Sequence, residues 1–215
     1  MMSRDWSYYA SQIASGLFHP LLMPWYGVFM LFCAIFDTGD AYRVLMAQYL
    51  RVTILETVVW TLVVPVVLLF VLLLIGRISS LQMPERKERA LPYFVCSLCY
   101  VVWCGRLWVA QVPVEWLLTA MGGTMTLAVV AAVNMRWKIS AHSAGIGGLM
   151  GSVLGYAVTT GLYSWGVLLC LTGITLWVMA ARIRLKGHTP EQVSAGWLTG
   201  LLCTLLPVYI YTITS

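Results

Sequence analysis

The chain has 215 residues, of which 60% are hydrophobic and only 10% charged, with a formal charge of +5. A typical soluble domain carries about 25% charged residues, so this composition excludes a water-soluble globule. It points instead to an all-α, polytopic transmembrane helical bundle, with residues 1–215 forming a single membrane domain.

A helix that crosses a bilayer needs about 20 predominantly apolar residues, so intervals free of charge mark the candidate crossings. The first interval, residues 6–36, is too long for a signal-peptide core and lacks a cleavage site, which predicts a retained helix near 13–36. Residues 57–76 predict a second helix near 52–76. Glu56 lies within it and is expected near the interface, because a carboxylate at the bilayer centre costs about 2.5–3.5 kcal/mol. The shorter interval 90–105 continues past Arg106 to the break at Pro113, predicting helices at 91–109 and 113–134. Residues 139–181 run for 43 positions without a charge. The Gly161-Leu162-Tyr163-Ser164 turn signal divides them into helices near 142–161 and 164–183. A last helix is expected at 193–214, giving six to seven membrane helices with no polar linker between them.

Within 142–161, Ser143, Gly147, Gly151 and Gly155 recur at every fourth residue, a small-residue stripe suited to close helix packing. The six cysteines all fall in apolar segments, and Cys96-x-x-Cys99 has no partnering histidine or second pair, so they read as packing residues. His19, before Pro20, reads as a packed or interfacial histidine.

With seven crossings, ten of the thirteen Lys and Arg lie on one membrane face: Arg4, Arg77, Arg86, Lys87, Arg89, Arg136, Lys138, Arg182, Arg184 and Lys186. Read as a topology signal, that excess places the basic face in the cytoplasm. If five of these residues serve a site, the comparison drops to five against three, and either orientation stays open. Two helices separate each basic loop from the next, so all three loops, together with His142 and His188, meet the same side.

Three segments carry the chemistry: Gln82-Met83-Pro84-Glu85-Arg86-Lys87-Glu88-Arg89-Ala90-Leu91-Pro92, Lys138-Ile139-Ser140-Ala141-His142-Ser143, and Arg182-Ile183-Arg184-Leu185-Lys186-Gly187-His188-Thr189-Pro190-Glu191-Gln192. In this order, on one face, they resemble the three-part signature of the type-2 phosphatidic acid phosphatase superfamily: Lys-x6-Arg-Pro, Pro-Ser-Gly-His and Ser-Arg-x5-His-x3-Asp. The signature-like region covers residues 82–192. It keeps Arg89, Ser140, His142 and the Arg182-x5-His188 spacing. It departs at Gln82 for the first lysine, Pro92 two positions late, Ile139 and Ala141 for Pro and Gly, and Gln192 for the final aspartate.

The resemblance implies a metal-independent lipid-phosphate phosphatase without a cofactor. His188 would be the nucleophile that takes the phosphoryl group, His142 the acid that protonates the leaving oxygen, and Gln192 the orienting residue. Arg89 and Arg182 would bind phosphate, since a planar guanidinium donates paired hydrogen bonds to phosphate oxygens. Arg86 or Lys87 would supply the charge missing at Gln82, and Ser140 would add a donor. Thr189-Pro190-Glu191-Gln192 also satisfies a helix capping box. The expected partners are a lipid phosphate or diphosphate reaching the site from the bilayer, and the membrane itself, expected to be a cell (inner) membrane; no nucleic acid is expected. The alternative is a non-catalytic protein of the same fold that binds or transports anionic lipids, needing Arg89 and Arg182 but tolerating loss of His142 and His188.

Overall fold

The structure is a computed structural model that describes residues 5–36, 40–81, 83, 85–161 and 163–214. Arg4, Gln82 and Leu162, which figure in the sequence reading, lie outside the described residues. The described chain is helical throughout: α1 (Trp6–Leu17), α2 (Met23–Phe36), α3 (Asp40–Thr57), α4 (Val64–Leu74), α5 (Ala90–Val109), α6 (Val114–Asn134), α7 (Ala141–Thr160), α8 (Trp165–Arg184) and α9 (Pro190–Thr214).

Five helical stretches are long and apolar enough to cross a membrane: Met46–Leu74, Lys87–Val109, Val114–Asn134, Trp165–Arg184 and Pro190–Thr214. The outer surface is correspondingly apolar, with Leu74, Val109 and Leu169 each more than 70% exposed, a belt suited to lipid contact rather than water. These features make the chain an integral membrane protein.

The expected single helix at 13–36 is broken. Pro20 lacks an N–H and drives the preceding residue out of helical geometry, and His19 indeed adopts an extended backbone (φ −66°, ψ 139°). Its side chain then accepts a hydrogen bond from the Leu21 N–H, which starts a short 3₁₀ turn, Pro20–Leu22, before α2. Neither α1, with 12 residues, nor α2, with 14, has the length of a crossing. The second predicted helix begins earlier than residue 52 and is joined through a π-helical stretch, Val58–Val63, to α4. Pro65 explains the widened turn, because it cannot donate to the carbonyl four residues back.

Glu56 is buried in this segment and accepts from Arg106 Nη2 at 2.8 Å and from Trp60 Nε1 at 3.0 Å. Arg106 stands three residues before the end of α5, so the carboxylate is satisfied toward the membrane face opposite the basic loops.

α7 has 20 residues, the length of a crossing, but its five glycines keep it out of the apolar set. It is nevertheless the interior helix of the bundle. α7 and α9 run parallel and touch backbone to backbone: a Cβ at Gly196 would lie 2.5 Å from the Ser140 carbonyl, and one at Gly151 would lie 2.6 Å from the Leu201 carbonyl. The small-residue stripe read from the sequence therefore seats α7 against α9. Its other faces carry Ile146, Leu149 and Met150, which pack with Met23, Leu171 and Val178 of α2 and α8.

Candidate functional site

The three basic segments converge at one end of the bundle, where α5, α7 and α9 begin and α8 ends. Arg89 is 8% exposed, with Nε donating to the Met83 carbonyl at 2.8 Å. It caps the entry to α5, and Pro92 follows in the first helical turn, where a missing N–H leaves no hydrogen bond unmade. The Tyr93 phenol lies against the Arg89 guanidinium. Arg182, in the last turn of α8, sits close enough to Arg89 for the two cations to repel each other. Its Nη1 donates to Ser15 Oγ at 3.2 Å, while its Nε is buried with no partner.

His188 opens the turn into α9 and is 7% exposed. Its Nδ1 lies 3.1 Å from Gln192 Oε1, which also accepts from the Thr189 N–H at 3.3 Å. An atom that accepts from a backbone N–H is the amide oxygen, so His188 must donate through Nδ1, leaving the Nε2 lone pair free. Gln192 thus both contacts the His188 ring and closes the capping box, its own N–H donating to Thr189 Oγ1 at 3.5 Å. Burial and the positive charges of Arg182, Arg89 and Lys138 push the His188 pKa down to about 4, with the Gln192 contact acting in the opposite direction. The imidazole is therefore neutral at ordinary pH.

His142, one residue into α7, donates through Nε2 to the Ser15 carbonyl (3.1 Å) when that nitrogen carries the proton. Its ring meets His19 edge to face at 5.4 Å. α1 thus closes over the site, held at its start by Arg184, which donates to Asp5 and Ser7 at 3.0 Å.

Arg89, Arg182, His142, His188, His19 and Tyr93 all line the same end of a cavity of ≈ 1630 Å³. From there the cavity runs between α2, α5, α6 and α7 to Trp116, Tyr163 and Ser164 at the opposite end of the bundle. Most of its wall is apolar, so it pairs a cationic mouth with a chain-sized apolar interior. Among the described residues none of Arg89, Lys138 and Arg182 has a carboxylate partner, and no three His, Cys, Asp or Glu side chains could hold a metal ion.

Three expected phosphate ligands are elsewhere. Arg86 turns away and donates through Nη1 to the Asn134 carbonyl at 2.7 Å and to the Met135 carbonyl, while Asn134 Nδ2 donates back to the Arg86 carbonyl at 3.1 Å. It satisfies the unpaired carbonyls at the end of α6. Lys87 is exposed and lines no cavity. Ser140 is fully buried as the N-cap of α7, with Oγ accepting from the Ser143 N–H at 3.3 Å and its own N–H donating to the Gln192 carbonyl at 3.2 Å.

Lys138 supplies the third cation instead. It is half-buried beside His188 and Gln192, and burial together with Arg89 and Arg182 pulls its pKa below the usual lysine range. Its signal in the sequence was its place at the head of the Lys138-x-Ser-x-His142 segment. His19 and Tyr93 carried no such signal. Comparison of the chain with protein-family models, with curated proteins and with solved structures gave no match.

Proposed function

We propose that the protein is a phosphohydrolase of a cell or inner membrane that removes phosphate from a lipid phosphate or diphosphate through a phospho-histidine intermediate. The observation that carries this reading is the meeting of Arg89, Arg182 and Lys138 around a neutral, oriented His188 at the mouth of a long apolar cavity. An uncompensated cation cluster of this kind suits a phosphate dianion, and the unpartnered Arg182 Nε is a donor awaiting an acceptor. The apolar cavity suits the lipid chain.

In the first step His188 Nε2 attacks phosphorus, an N–P bond forms and the P–O bond to the lipid breaks. An imidazolium His142, whose Nε2–H stays on the Ser15 carbonyl, gives its Nδ1 proton to the departing oxygen and is left neutral. In the second step water attacks the phospho-histidine, returns its proton to His142 and releases inorganic phosphate. The guanidinium groups stabilise the charge spread over the equatorial oxygens in both steps.

The alternative, anionic-lipid binding or transport without chemistry, draws on Gln192, which orients His188 but cannot neutralise it as a carboxylate would. Phosphate release from a panel of lipid phosphates by purified protein and by His188→Ala separates the two. Hydrolysis by the wild type that disappears in a folded His188→Ala variant supports the phosphohydrolase. Retained turnover removes His188 from the mechanism, and lipid binding without any release favours the alternative.

A further inference from the structure

His188 stands between two chambers. On one side is the long apolar cavity; on the other is an open vestibule of ≈ 420 Å³ lined by Lys138, Lys186, Gly187, Thr189 and Gln192. Lys186 lies in the loop between Trp165–Arg184 and Pro190–Thr214, and Lys138 lies just beyond Val114–Asn134, three helices long and apolar enough to cross a membrane, so this vestibule lies at their ends, toward the aqueous phase. Arg182 lies in the partition as well: it lines the inner cavity, and its Nη2 would be 2.9 Å from a Cβ placed on Gly187, which lines the vestibule.

Lys186 is held at an energetic cost. α8 ends in a Schellman turn, with Lys186 N–H donating to the Ile183 carbonyl at 2.9 Å and Gly187 N–H to the Arg182 carbonyl at 3.1 Å. In that motif the residue at position 186 must be left-handed, a site where glycine is strongly favoured, yet lysine occupies it at φ 53°. Gln111 takes the same left-handed position in the turn after α5, so the strain by itself marks no site; what Lys186 adds is a second cation lining the vestibule that Lys138 lines. Packing does not account for it, because Lys186 is exposed.

We propose that this vestibule is an oxyanion site for the released inorganic phosphate, so that lipid enters and leaves through the apolar cavity while phosphate departs on the other side of His188. The inference rests on the phosphohydrolase reading. Its physical basis is that a free phosphate dianion is strongly disfavoured against apolar walls, whereas the vestibule offers water and two ammonium groups.

The test measures inorganic phosphate both as an inhibitor of lipid-phosphate turnover and as a directly bound ligand, by ³¹P line broadening, in detergent-solubilised full-length protein. Lys186→Gly should weaken phosphate in both measurements by about tenfold, the loss of one charge-assisted contact. It should also raise the melting temperature by about 2–4 °C, since glycine relieves the left-handed strain. Lys186→Arg should restore phosphate binding, and Lys87→Gln, which removes an equal charge outside both chambers, should leave it unchanged. Unaltered phosphate binding in a folded Lys186→Gly overturns the proposal, as does an equal rise in the KM for lipid phosphate, which would put Lys186 on the entry path. A wild type that binds phosphate but hydrolyses no lipid phosphate instead overturns the phosphohydrolase reading, so the two failures are distinguishable.

Discussion

Replacing Gln192 with glutamate exchanges the neutral oxygen 3.1 Å from His188 Nδ1 for a carboxylate of the same length. Opposite charges about 4 Å apart attract by about 4 kcal/mol at the effective dielectric of a protein surface, and each pH unit of pKa corresponds to about 1.36 kcal/mol. The His188 midpoint, now about 4, should therefore rise to about 7 in Gln192→Glu. The chain contains three histidines, so protein labelled with ¹⁵N-histidine in detergent presents three imidazoles, and His188→Ala assigns the one of interest. The sign extends to stability. In the wild type the unfolded chain binds the His188 proton below its ordinary pKa of 6.5 while the folded chain resists it down to about 4, so acidification across that window destabilises the fold. Gln192→Glu should lose less stability over the same window. The substitution also gives the imidazolium formed during phosphoryl transfer a counter-charge, so single-turnover transfer from a lipid phosphate should quicken in Gln192→Glu and in Gln192→Asp. A His188 midpoint displaced by less than one pH unit would refute the placement of Gln192 as its partner.

Arg86→Gln should destabilise the fold by about 1–3 kcal/mol through the orphaned carbonyls at the end of α6 while leaving the KM for lipid phosphate unchanged; thermal unfolding and kinetics on one preparation check this, and a raised KM at constant stability would return Arg86 to the site. Gly200→Ala places a methyl group 2.6 Å from the Gly148 backbone nitrogen and should cost about 1–3 kcal/mol, whereas Gly173→Ala enters open space and should be neutral or stabilising by up to about 1 kcal/mol. Equal melting temperatures for these two variants would contradict the α7–α9 contact. In a cysteine-free background, cysteines at positions 87 and 186 should react with an impermeant thiol reagent from the same side of the membrane; labelling from opposite sides is incompatible with a single site.

Much of this protein is written locally in its sequence. The apolar intervals specify the helices from α5 onward to within a few residues, because a membrane-crossing helix satisfies its backbone within itself and needs only length and hydropathy. The His188–Gln192 contact was legible for a similar reason: residues four apart at a helix start face each other whatever surrounds them. Even the break of the first predicted helix has a local cause at Pro20, though the long apolar run hid it.

The roles of the remaining charged residues depended on neighbours distant in the chain. Arg86 and Arg89 are three positions apart and look equally suited to phosphate, but Arg86 is spent on carbonyls 48 and 49 residues away. Lys138, not Arg86 or Lys87, is the further cation that lies beside His188. His19 joins the site only because α1 folds back over α7 and α8, bringing the Ser15 carbonyl to His142 and the Ser15 hydroxyl to Arg182, 127 and 167 residues along the chain. Hydropathy determines that a segment is a helix in a membrane, but it contains no term for which face meets which neighbour. That is decided by close packing at positions such as Gly196 and Gly200 and by the need of each buried donor and acceptor to find a partner, and both are properties of the assembled bundle.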